Sequence, residues 1–161
     1  MDFHSKLPDV QESIFAVMSQ KAAKYQAVNL SQGFPDFDAP SELIDLVTHY
    51  MKKGCNQYAP MPGVPELRKA ISQKVQDCQS TYYSPDTEVT VSSGATQALA
   101  TAIATLVRPG DEVIVFEPTY DAYIPLIELQ GGQAISLELK SPDFKPNWQD
   151  LADKISDKTK A

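Results

Sequence analysis

Residues 88–116 read EVTVSSGATQALATAIATLVRPGDEVIVF, and this stretch decides the fold class. Glu88 to Val91 predict a short strand, Ser92-Ser93-Gly94 interrupt it, and an Ala-rich apolar run from about Gln97 to Val107 predicts a helix closed by Arg108-Pro109-Gly110. Val113 to Phe116 is an unbroken apolar run, which suits a strand covered on both faces. Downstream, the pattern predicts a helix over Tyr120 to Gln130 stopped by Gly131-Gly132, and a strand over Ala134 to Leu139. A last amphipathic helix begins at Asn147 and runs through Trp148, Leu151 and Ile155. Strands alternating with helices argue for parallel pairing through right-handed crossovers, hence an α/β fold. At Ala161 the alternation calls for another buried strand, so the reading expects a sheet cut in the middle and a piece of a longer protein.

Upstream the chain reads as helices and polar loops. Apolar residues recur at helical spacing from Asp9 through Ile14, Val17, Met18, Ala22 and Tyr25, and that helix should end near Gln26. Asn29 to Asp38 is an ordered Gly- and Pro-containing loop. Ser41 is placed to cap a second helix whose Leu43, Ile44, Val47, Tyr50 and Met51 form an apolar face, with Gly54 ending it. Pro65 suits the first turn of a third helix carrying Leu67, Ala70, Ile71, Val75 and Cys78.

The whole chain has 161 residues, with 14 Lys+Arg against 21 Asp+Glu and a formal charge of −7. An acidic balance disfavours nucleic acid, whose backbone needs a basic face. With 42% hydrophobic and 22% charged residues, the chain is too apolar for a disordered segment and too interrupted by charge for a membrane span. The start, MDFHSKLPDVQES, has no secretory h-region, so the expected compartment is the cytoplasm. Cys55 and Cys78 read as free thiols, and neither joins His4 or His49 in a metal-ligand pattern.

Three places could carry chemistry. A strand passing through a Gly turn into a helix presents unpaired backbone N–H groups and a positive dipole end, which suits an anion near Gly94, Ala95 and Thr96; alternatively, Ser92, Ser93 or Thr96 only caps the helix. The stretch is neither a P-loop nor a three-glycine dinucleotide fingerprint. Glu117 to Tyr123 lies at the C-terminal end of a buried strand, where ligands of open α/β sheets bind, and Tyr120 could stack on a flat ring or fill the core. In Asn56-Gln57-Tyr58, the Tyr58 hydroxyl could donate to a ligand or merely terminate a turn.

Four motifs in order, NLSQGFPDF (Asn29 to Phe37), NQYAPMPGVPELRKAI (Asn56 to Ile71), VSSGATQAL (Val91 to Leu99) and GDEVIVFEPTYDAY (Gly110 to Tyr123), resemble the class I/II aminotransferases of pyridoxal-phosphate fold type I. The likeness runs from about Lys6 to Ala161 and leans toward the methionine and kynurenine/glutamine aminotransferase branch. It implies an incomplete fold type I, with a helical N-terminal segment before the first strands of a mostly parallel sheet. Residues 1–45 would serve the substrate side and small domain, and 46–161 would begin the large cofactor domain. The implied cofactor is pyridoxal 5′-phosphate. Ala95 and Thr96 would contact its phosphate through the main chain and Tyr120 would stack on its ring. Tyr58 would reach the phosphate of a neighbouring subunit, implying a homodimer. Gly33 would lie beside the substrate carboxylate, and Phe15 would line the substrate pocket.

The resemblance also implies residues whose motifs do not occur between Met1 and Ala161. These are the Schiff-base lysine, an aspartate at the pyridine nitrogen, an Asn and a Tyr at the ring oxygen, and an arginine for the substrate carboxylate. Lys140, Lys145, Lys154, Lys158 and Lys160 read as solvated surface charge. The parent protein would then transfer an amino group from a methionine, aromatic or glutamine-like amino acid to a 2-oxo acid, and the 161-residue chain alone would be inactive. The alternatives are a cysteine-conjugate β-lyase on the same fold, or an inactive fragment or regulatory domain.

Overall fold

Helical periodicity and loop chemistry account for most of the elements in the computed structural model, which describes residues 4–8, 10–33 and 35–161. The elements are α1 (Ile14–Tyr25), α2 (Ser41–Lys52), α3 (Pro65–Gln79), α4 (Ala95–Leu106), β1 (Glu112–Glu117), α5 (Tyr123–Leu129), β2 (Gln133–Glu138) and α6 (Trp148–Lys154). Asp9, where the first helical pattern was expected to begin, lies outside the described residues. The chain divides into two units, one of Gln26–Ser92 and one combining the segment through Tyr25 with Ser93–Ala161.

The second of these carries the sheet. β1 and β2 pair in parallel, in register from Glu112↔Gln133 to Glu117↔Glu138. Alternation along β1 sends Val113 and Val115 to one face. There Val115 joins Val107 and Ile127 in the core, with Ile103, Tyr123, Ile124 and Ala134 packed against it. This cluster holds α4 and α5 on the strand. The α5–β2 turn is tight because Gly132 has no side chain: a Cβ there would lie 2.5 Å from Val107 Cγ1. On its other edge β1 bonds residues 158–161. Glu112 N donates to Lys158 O at 2.9 Å, Lys160 N to Glu112 O at 2.7 Å and Ile114 N to Ala161 O at 2.9 Å. Thr159 bridges Glu112 in parallel, so the second edge of β1 is bonded at Glu112 and Ile114, while among the described residues only β2 joins it as a strand.

The unit Gln26–Ser92 is built on α2 and α3. Gly54, at φ 90°, donates to Met51 O while Cys55 N donates to Tyr50 O, the paired bonds of a Schellman ending, as expected of that glycine. Pro65 occupies the first turn of α3. Arg68, only 8% exposed, reaches back from α3, with Nε donating to Gly63 O at 3.2 Å and Nη1 to Pro85 O at 2.6 Å. Ser72 Oγ donates to Tyr83 O, so α3 organises the segment before Ser92 by side-chain bonds to its carbonyls.

Three expectations are corrected. Glu88 to Val91 form no strand: among the described residues no strand runs beside them, Val91 N donates instead to Pro62 O at 2.9 Å, and Glu88 N closes a turn on Ser84 O. Ser41 does not cap α2, because Pro40 O accepts from Leu43 N and Ile44 N and the helix therefore starts one residue earlier, with Pro40 as N-cap. α5 begins at Tyr123 rather than Tyr120, since Tyr123 N turns back onto Tyr120 O at 3.2 Å. The apolar face of α2 is not buried in this chain: Leu43, Ile44, Val47, Tyr50 and Met51 are each half exposed.

Candidate functional site

The start of α4 is the most distinctive polar feature of the sheet-bearing unit. Gly94 is its N-cap with φ 92° and ψ 165°, and no side chain caps the helix. An L residue resists that φ, so glycine permits the abrupt entry. The first intrahelical bond runs from Ala98 N to Gly94 O at 3.2 Å. The N–H groups of Ala95, Thr96 and Gln97 precede any i−4 carbonyl of the helix and point from its positive end. The Gln97 side chain reaches back to the preceding turn, its Oε1 accepting from Ser93 N. Ala95 and Thr96 are exposed, so the opening is accessible to an anion.

Tyr120 reaches this opening from the C-terminal end of β1. The Tyr120 hydroxyl lies 3.2 Å from Thr96 Oγ1, a hydrogen bond spanning 24 residues. Its ring meets Tyr123 edge-on at 5.8 Å between centroids and 79° between planes. Tyr120 is 43% exposed, so it is braced by its hydroxyl and by one ring contact while part of its surface stays free. Ala95, Thr96 and Tyr120, singled out in two separate motifs, are thus brought together. The arrangement offers an anion-binding helix start beside a partly free aromatic ring.

Phe15 lies in the first turn of α1 and is half buried. Its amide donates to Ser13 Oγ at 3.3 Å, and Val17 N donates to Ser13 O at 3.1 Å, which makes Ser13 the N-cap of α1. Ser13 Oγ in turn donates to Asp121 Oδ2 at 2.8 Å. Sequence reasoning missed this pair. Ser13 carried the usual signal, a hydroxyl residue just before an apolar helical run, but Asp121 carried none.

Gly33 and Tyr58 belong to the other unit. Tyr58 is fully exposed, and a Cβ built on Gly33 meets nothing within 4 Å. Lys140, Lys145, Lys158 and Lys160 are exposed, and Lys154 is half buried. Among the described residues, no three His, Cys, Asp or Glu side chains gather as a metal site, and no helix is long and apolar enough to cross a membrane.

A family model, aminotransferase class I and II, matches residues 25–161. The methionine aminotransferase of Escherichia coli is 48% identical over 156 residues, covering 97% of this chain and 40% of that protein. The kynurenine–oxoglutarate transaminase of Dictyostelium discoideum is 37% identical over 164 residues, covering 92% of this chain and 38% of its own length. Among solved structures, Escherichia coli YbdL, described as having a methionine aminotransferase function, superposes with a TM-score of 0.94 at 47% identity, over 99% of this chain and 42% of that one. The N-succinyldiaminopimelate aminotransferase of Mycobacterium tuberculosis gives a TM-score of 0.90 at 37% identity, over 98% and 42%. The chain spans about 40% of the length of the relatives it matches.

Proposed function

The chain belongs to the class I and II aminotransferases, and from that premise we propose that it forms the N-terminal part of a pyridoxal 5′-phosphate enzyme exchanging an amino group between an amino acid and a 2-oxo acid. The observation that carries this reading is the hydrogen bond between Thr96 and Tyr120 at the uncapped start of α4. The residues present fit the cofactor. The Ala95 and Thr96 amides suit a phosphate dianion at a helix N-terminus. The exposed part of the Tyr120 ring suits a flat heteroaromatic partner.

When bound, the cofactor supplies the carbonyl that takes up the amino group and an electron-withdrawing ring. The contribution of this chain is to bind and orient. Ala95 and Thr96 would hold the phosphate, and Tyr120, steadied by Thr96 and Tyr123, would offer its exposed ring surface to the pyridine. Tyr58 donates its hydroxyl to the phosphate held by a second subunit, so the working form is a homodimer; its full exposure supports that role. Gly33 leaves room for the substrate carboxylate, and Phe15 contributes an apolar wall for the substrate side chain.

The substrate range we assign is methionine, aromatic or glutamine-like amino acids, supported by Phe15 and by the methionine and kynurenine enzymes among the relatives. Apolar walls discriminate by about 1–3 kcal/mol per methylene, so broad use is expected. We place the enzyme in the cytoplasm. The Schiff-base lysine lies outside residues 1–161, and the 161-residue chain alone turns nothing over.

The test is borohydride reduction of the parent protein with pyridoxal phosphate, followed by peptide mapping and an assay with methionine and a 2-oxo acid. The expected result is one labelled lysine outside residues 1–161, together with acceptor-dependent transfer. A labelled lysine within this chain, or pyruvate released from a thioether amino acid with no acceptor present, would overturn the proposal in favour of a different site or of β-elimination.

A further inference from the structure

We propose that Asp121 is a positioning residue that, through Ser13, sets the start of α1 and thereby the place of Phe15 relative to the turn carrying Tyr120. The inference rests on the roles given above to Phe15 and Tyr120. A serine hydroxyl has one proton and two lone pairs. Ser13 spends its proton on Asp121 at 2.8 Å and accepts the Phe15 amide at 3.3 Å. One oxygen therefore serves both as helix cap and as tether, across 108 residues of sequence. The bond to a carboxylate is charge-assisted and directional.

The charge matters as well. α1 has no acidic residue in its own first turn, although a negative charge there complements the helix dipole. Asp121 brings a carboxylate to that position from elsewhere in the chain. On its other side Asp121 is fixed by the turn in which Tyr123 N donates to Tyr120 O at 3.2 Å and Leu126 N to Ala122 O at 3.1 Å. A continuous run of bonds and chain neighbours therefore links Thr96, Tyr120, Asp121, Ser13 and Phe15. The cofactor-side ring and the substrate-side wall share one mounting. Removing the carboxylate frees the wall without touching the helix start that receives the phosphate.

The experiment compares Asp121→Ala, Asp121→Asn, Ser13→Ala and the Ser13→Ala/Asp121→Ala double variant in the full-length parent protein, with aromatic and with small amino acids as donors. Asp121→Ala and Ser13→Ala should each raise KM for the aromatic donor about fivefold, with kcat and cofactor content within about twofold of the parent. Asp121→Asn, which keeps an acceptor oxygen but not the charge, should recover part of the loss. The double variant should be no worse than the worse single one, because both remove the same link. Equal KM rises for small and aromatic donors, additive single effects, or a loss confined to kcat would overturn the proposal. Amide hydrogen exchange supplies a readout independent of turnover: Asp121→Ala should speed exchange at the Phe15 amide about tenfold, and unchanged exchange would sink the tether. A parent protein lacking transaminase activity, but with exchange sensitive to Asp121, would condemn the functional reading and not the link.

Discussion

Removing the Tyr120 hydroxyl separates the two roles assigned to that side chain. In Tyr120→Phe the ring keeps its edge contact with Tyr123 but loses the 3.2 Å bond to Thr96 Oγ1. A neutral hydrogen bond at a site 43% exposed belongs at the low end of the usual range, about 0.5–1 kcal/mol, so cofactor affinity should fall about two- to fivefold. Tyr120→Ala loses that bond and also aromatic stacking worth about 0.5–1.5 kcal/mol beyond area, for a total loss of about 5- to 70-fold. Thr96→Val keeps the backbone amide and should match Tyr120→Phe. The two together should lose no more than either alone, since they remove one shared bond. The assay is cofactor dissociation from the parent protein, followed by absorbance or tyrosine fluorescence quenching. Equal affinities for the parent and Tyr120→Ala would refute stacking on Tyr120, and additive losses in Thr96→Val/Tyr120→Phe would refute the bond as the brace of that ring.

Three further outcomes concern the scaffold. Gly132→Ala should destabilise the protein by about 1–3 kcal/mol in denaturant unfolding, because the new Cβ meets Val107 Cγ1 at 2.5 Å and Ile127 Cγ2 at 3.1 Å inside the core. Gly63→Ala combines a φ of 101° with a Cβ 2.6 Å from Val91 Cγ2; it should cost at least about 1–3 kcal/mol, read as a lowered unfolding midpoint. Arg68→Met keeps a long apolar stem but leaves Gly63 O and Pro85 O without their donor; a loss of about 1–3 kcal/mol is expected by thermal unfolding, and an unchanged midpoint would show that those carbonyls are otherwise satisfied.

What could be read from the sequence follows the range of the forces involved. Helix α3 and strands β1 and β2 carry their own signals in periodicity, Pro65 and the apolar run Val113 to Phe116, and they appear where expected to within a residue or two. Gly54 was legible because a left-handed helix ending is a local event. The segment Glu88 to Val91 was not, because a strand exists only with a partner and Val91 finds Pro62 instead. Tyr120 was expected inside a helix because its spacing fits one, yet the turn closed by Tyr123 N leaves it in the loop. Of the site, the anion-suited start at Ala95 and Thr96 followed from strand–glycine–helix order. Its contact with Tyr120 needed the packing of α4 and α5 on β1. The Ser13–Asp121 bond, 108 residues long in sequence, left no local trace in Asp121 at all.

The most direct measurement is a crystal structure of the full-length parent protein with pyridoxal 5′-phosphate bound. The phosphate should accept from the Ala95 and Thr96 amides at the head of α4, with the pyridine ring lying against Tyr120 and Tyr58 of the partner subunit at the same phosphate. A phosphate seated elsewhere, with the start of α4 bonded only to protein atoms, would contradict the account.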